Sequence, residues 1–308
     1  MTNSIGKSPR VSPLVHIALF AAQFGFASMS VVAKGVMEHV HPFALAATRV
    51  ALAAPILLLL AWQVEHARPT ARDLRFLVML GILGVFLNQL LFIVGLRYTT
   101  ATNAGIMAPS IPVFAAGAAV LFGIEQLSWT RFAGIALAVA GALAMLDPSG
   151  FELGGHGLGN LLILANCAAY GTFLVLNRPI LKRLGPLTVF AWSTVFGGAA
   201  VLMVAGGELA RLPISELPRW VPWGMLYIVV VPTIICHSIN IWAVGRSTPS
   251  LVAAYTTLQP AITGVGAAIW LGERAHWREA VGSLLIILGL MIVSRAKPKE
   301  AAAADFGP

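Results

Sequence analysis

TATNAGIMAPSIPVFAAGAAVLFGIEQLSWTRFAGIALAVAGALAM (residues 100–145) and TPSLVAAYTTLQPAITGVGAAIWLGERAHWREAVGSLLIILGLMIV (residues 248–293) align without a gap when the chain is shifted by 148 residues. Thr100 falls on Thr248, Pro112 on Pro260, Ala119 on Ala267, Glu125 on Glu273 and Trp129 on Trp277. Gly134 falls on Gly282, Leu137 on Leu285 and Gly141 on Gly289. Alanine and leucine coincide easily in an apolar chain. A proline, a tryptophan, a glutamate and two glycines held in register do not, and they point to an internal duplication.

The composition says what kind of unit is duplicated. Hydrophobic residues make up 58% of the 308 and charged residues only 10%, against about 25% charged in ordinary globular proteins. Mean hydropathy is +0.85. Too few polar residues exist to cover a soluble surface, so a soluble enzyme, a disordered chain and a secreted disulfide scaffold are excluded, and a polytopic membrane protein remains. The net charge of +8 does not indicate nucleic acid, because the basic residues are scattered at the ends of apolar runs. Cys167 and Cys236 lie inside apolar segments and read as small buried side chains. No disulfide, metal site or cofactor is expected.

Ten apolar segments follow one another: 14–36, 43–63, 74–96, 102–124, 130–146, 158–177, 187–206, 221–244, 250–271 and 277–294. The first is too long for the core of a signal peptide and matches a spanning helix. Lipid offers no water to backbone groups, so each segment must be helical. The expected fold is an all-α integral membrane protein of ten transmembrane helices. Its parts are a tail (1–13), a first five-helix repeat (14–146), a connecting loop (147–157), a second repeat (158–294) and a tail (295–308). With both termini in the cytoplasm of a cell (inner) membrane, thirteen basic residues face inward and six outward, and Arg49 lies within the second segment. That bias favours the arrangement.

Five is an odd number, so the second copy enters the membrane from the opposite side. Inverted-topology repeats are a common way to build secondary transporters. Pro109, Pro112 and Pro260 break the fourth and ninth segments and read as kinks or hinges. The glycine pairs, seven residues apart, let helices approach closely, within the chain or in a homodimer. Glu125 and Glu273, at helix ends near arginines, read as interfacial anchors rather than proton carriers.

At this point the chain resembles a known family. The ten segments, the repeat, Ala-Pro-Ser-Ile-Pro (108–112), Phe-Gly-Ile-Glu (122–125), Leu-Gly-Glu (271–273) and the matched glycines are similar to EamA-type members of the drug/metabolite transporter superfamily. The resemblance runs from about residue 14 to 295 and is specific for fold, not for substrate. It implies a central cavity lined by segments one, three, four, six, eight and nine, with five and ten peripheral. One departure is Ile124, which stands where the second copy has Gly272.

Polar groups in mid-membrane usually face a cavity or a partner. The candidates are Gln23, Asn88, Gln89, Asn103, Asn166, Tyr170, His237, Asn240, Tyr255 and Gln259. His237 reads as a neutral group bonded to a neighbour or as a substrate ligand. Arg49 could bind a carboxylate, snorkel to the interface, or pair with Glu38 or Asp147. No Asp or Glu falls at mid-membrane, which argues against a carboxylate relay and suggests a neutral, zwitterionic or mildly amphipathic solute. The expected function is movement of small metabolites, amino acids first, by alternating access. The alternatives are efflux of drugs or amphipathic compounds, or a membrane subunit without transport. No nucleotide loop, HExxH or ring of pore charges supports an enzyme or a channel.

Overall fold

A computed structural model of the protein describes residues 11–99, 104, 107–124, 128–144, 153–259, 262 and 277–295. Among these residues the chain is helical, joined by short turns. We number the helices α1 (Pro13–Val36), α2 (Pro42–Val64), α3 (Ala71–Tyr98), α4 (Ala108–Leu121), α5 (Trp129–Ala144), α6 (Leu153–Leu184), α7 (Pro186–Ala210) and α8 (Trp220–Arg246). α9 begins as Pro249–Tyr255 and continues through a 3-10 turn, Thr256–Leu258; α10 is Trp277–Arg295. Six of them, α1, α2, α3, α6, α7 and α8, are long and apolar enough to cross a bilayer. The proposed kink at Pro260 and the candidate Asn103 lie outside the described residues.

Local chemistry sets the boundaries. Pro13, Pro42, Pro186 and Pro249 open their helices, where a missing N–H costs nothing and the fixed φ is already helical. Thr70 and Asp73 cap α3 reciprocally, satisfying two amides that a helix start leaves bare. Gly185, at φ +80° between α6 and α7, occupies a conformation that a side chain would strain. The sixth helix runs past its apolar stretch to Leu184, ending on Lys182 and Arg183, which suit the negative end of a helix.

The duplication is visible in the irregularities. α3 widens into a π segment at Ile82–Leu87, and α8 does so at Val229–Cys236. α4 opens with a 3-10 turn at Ala108–Ser110, and α9 has one at Thr256–Leu258. The 3-10 turns are separated by the repeat offset of 148, and the π segments match it to within one residue at each end. Pro109 lies in the first of these turns and Pro112 near the start of the helical stretch that follows. Pro55, Pro179 and Pro232 stand inside helices.

Small residues allow the closest crossings. A Cβ on Gly134 would lie 2.9 Å from the Gly289 carbonyl, and one on Gly289 would lie 2.6 Å from the Gly134 carbonyl. The two glycines therefore join α5 to α10 within one chain, where lipid gives no hydrophobic drive and backbone approach supplies dispersion instead. Large apolar side chains cover the periphery, and Trp62, Trp129, Trp220 and Trp223 are exposed near helix ends, as in an interfacial aromatic belt.

Candidate functional site

Pro232 starts the construction of the site. Having no N–H, it cannot serve the carbonyl one turn back, that of Ile228. Thr233 Oγ1 donates to that carbonyl at 2.7 Å. The same hydroxyl accepts from Arg49 Nε at 3.0 Å. A proline-widened turn of α8 thus holds an arginine of α2, and that side chain is 3% exposed. It neither snorkels to the interface nor, among the described residues, pairs with Glu38 or any other carboxylate.

Arg49 forms part of the wall of a cavity of about 80 Å³ between α1, α2, α3, α4, α6, α8 and α9. Asn88, Asn166, Tyr170, His237, Thr256 and Gln259 supply its other polar groups. Phe26, Met29, Phe92, Ile111, Ile163 and Cys167 supply much of its apolar surface. Charge is scarce here: Arg49 is the one fixed cation among the lining residues.

Hydrogen bonds fix the polar members. Asn166 donates to the backbone carbonyl of Asn88 at 2.5 Å, at the end of the α3 π segment. Gln259 Nε2 donates to Gln23 Oε1 at 3.0 Å, tying α9 to α1 across the two halves. Asn240 Nδ2 donates to the Tyr170 hydroxyl at 2.8 Å. The His237 ring sits among Phe26, Tyr170 and Phe190, with centroids 5.0, 5.4 and 5.7 Å away. Its Nδ1 is buried with no protein partner.

Of the residues selected from sequence, the structure places Asn88, Asn166, Tyr170, His237 and Gln259 on the cavity. Gln23 and Asn240 stand one hydrogen bond behind it. Gln89 is buried and donates to the Ala46 carbonyl, so it joins α3 to α2. The Tyr255 hydroxyl bonds His16 at 2.6 Å, and Tyr255 is not among the described residues that line the cavity. Arg49, for which the sequence offers carboxylate binding, snorkelling or ion pairing, also lies on the cavity wall. Its signal was the lack of any acidic residue within a turn along α2, combined with a position a third of the way into the span.

At its far end α1 is tied down separately. Lys34 Nζ donates to the carbonyls of Leu96 and Thr99, each at 2.7 Å, and Thr99 Oγ1 donates to Asn160 at 2.7 Å. At the opposite end of α2, the Glu65 carboxylate accepts from the amides of Leu187 and Thr188 at 3.0 and 2.7 Å. These are the first turns of α7, where a negative charge is favoured. Asp73 pairs with Arg183 close by.

Comparison with known proteins gives a consistent picture. The description of the EamA-like transporter family matches residues 13–146 and, a second time, residues 157–295. Protein WALLS ARE THIN 1 of Arabidopsis thaliana is 28% identical over 329 residues, 93% of this chain and 84% of the relative. A probable terminal-alkyne amino-acid exporter of Streptantibioticus cattleyicolor is 28% identical over 259 residues, 82% of this chain and 83% of the relative. The uncharacterized transporter YetK of Bacillus subtilis is 24% identical over 298 residues, 94% and 90% of the two chains. A solved crystal structure shares the fold at TM-score 0.70 and 17% identity, covering 92% of this chain and 96% of that one.

Proposed function

The chain belongs to the EamA-like transporter family, and on that premise we propose that it carries small metabolites, amino acids or related compounds first, by alternating access between its two inverted halves. It is a multi-pass membrane transporter and not an enzyme. The single observation that carries the finer reading is the cavity on which both repeats converge, closed across the halves by the Gln23–Gln259 bond. One relative's name, that of an amino-acid exporter, supports the solute class. The bias of basic residues supports cytoplasmic termini.

The test is flux. Purified protein in liposomes is offered radiolabelled amino acids, nucleosides and amphipathic cations, with and without a pH gradient. Saturable movement of amino acids is expected. Movement of amphipathic cations alone would replace metabolites with drug efflux as the function. Gln23→Ala, Asn166→Ala and His237→Ala are each expected to lower the rate at normal protein level. Normal transport in all three would sink the cavity assignment.

A further inference from the structure

We propose that Arg49 anchors the carboxylate of the transported solute, with its apolar body held against Phe26, Phe92 and Tyr170. The inference rests on the transporter reading and names its substrate class: monocarboxylates with an apolar or aromatic body.

Four observations carry it. First, Arg49 is buried on the cavity wall, and its one hydrogen bond among the described residues, Nε to Thr233 at 3.0 Å, leaves the Nη edge of the fork for a solute. A guanidinium presents parallel donors that match the two oxygens of a carboxylate. Second, no described acidic group neutralises it. A cation held in a low-dielectric interior without a counter-ion is costly, and an anionic solute would remove that cost on binding. Third, the fold does not need the charge. At the repeat offset Arg49 corresponds to Gly197 and Thr233 to Val85. Gly197 sits directly against Val85, so the other half builds the same helix crossing from a glycine and a valine. Fourth, among the described residues the wall carries a single fixed positive charge. That matches a carboxylate better than a phosphate monoester, whose near-double charge calls for more cations.

The test uses acid and amide pairs, which differ in little but the charge: L-leucine against L-leucinamide, and 3-phenylpropionate against 3-phenylpropionamide. Binding is read as the rise in unfolding temperature of the protein in nanodiscs, and transport as competition for flux in liposomes. Each acid is expected to bind at least tenfold more tightly than its amide. Arg49→Gln is expected to erase that preference and Arg49→Lys to retain part of it. Equal binding of acid and amide by the native protein, or no binding of either acid, overturns the anchor, and this comparison needs no variant. Acid-selective binding lost in Arg49→Gln but without flux upholds the anchor and overturns the transporter reading. Flux without acid preference does the reverse.

Discussion

Thr256 Oγ1 donates to the backbone carbonyl of Ala108 at 3.2 Å, and these two residues occupy equivalent positions of the duplicated halves. A contact between equivalent positions can form only near the axis that relates the copies. Val50 and Gly198 behave in the same way: a Cβ built on Gly198 would lie 3.1 Å from that of Val50. Thr256 also lines the cavity, so the axis passes beside the site. Thr256→Val keeps the shape and removes the hydroxyl. The single hydroxyl proton is shared with the Ala253 carbonyl at 2.7 Å, so a loss of about 1 kcal/mol is expected for the two contacts together, read as a lower unfolding temperature in detergent. An unchanged temperature would show that neither contact of this hydroxyl contributes to stability.

The α5–α10 crossing should be intolerant of any side chain at its centre. Gly289→Val is expected to cost about 1–3 kcal/mol by forcing two backbones apart. Gly206, which has open space where its Cβ would stand, supplies the control, and Gly206→Ala should be neutral or slightly stabilising. The helices run antiparallel, since Gly134 meets Val293 while Gly289 meets Ala138. Two turns further along, Gly141 therefore comes opposite Gly282, and Gly282→Val should be as harmful as Gly289→Val. A thermal series over the four proteins checks this, and a tolerant Gly282 would place the helices in a different register.

The duplication was legible because proline, tryptophan and glycine are demanded by backbone geometry and recur wherever it recurs. The cavity was legible only in part. Asn166 and His237 are polar in mid-span, and lipid makes that conspicuous. Gln89 and Tyr255 are equally conspicuous, yet they spend their polar atoms on the Ala46 carbonyl and His16. Sequence cannot tell a polar group that faces a solute from one that faces a neighbouring backbone. Sequence leaves Arg49 with three roles, carboxylate ligand, snorkelling cation or ion-pair partner, because its partner, Thr233, lies 184 residues away and is positioned by a π segment that has no sequence signature apart from Pro232. Comparing the halves would have helped: the scaffold recurs, whereas the chemistry stands in one copy only, as Arg49 does against Gly197 and His237 against Gln89.

Orientation can be read with introduced thiols. Cys167 and Cys236 are 2% and 3% exposed, so the native background toward a bulky reagent is low. Arg68→Cys lies in the turn before α3, and Ile214→Cys replaces a residue 66% exposed in the turn after α7. With cytoplasmic termini, intact cells treated with a membrane-impermeant maleimide should label position 214 and spare position 68. The opposite pattern would invert the topology that the basic residues favour.

The inverted repeat also predicts what changes when the protein reverses its facing. Lys34 holds the Leu96 and Thr99 carbonyls at 2.7 Å. At the repeat offset Lys34 corresponds to Lys182, Leu96 to Val244 and Thr99 to Ser247. Lys182 is exposed here, although the side chain of Leu181 already approaches Gly245 at the foot of α8. On the proposed alternating access between two halves of opposite orientation, the conformation of one half is what the other would adopt in the opposite-facing state. Lys34 should therefore release its carbonyls as Lys182 engages those of Val244 and Ser247. Lys34→Met removes two charge-assisted bonds present in this state and should lower thermal stability by about 1.5–3 kcal/mol. Lys182→Met removes bonds that this state lacks, so stability should stay within about 0.5 kcal/mol of native while turnover falls. Because Lys182 is engaged only in the opposite-facing state, its loss disfavours that state alone, and the effect belongs in the rate and not in the melting curve of this one. A Lys182→Met protein that transports at the native rate would show that the two ends are not closed by the same device.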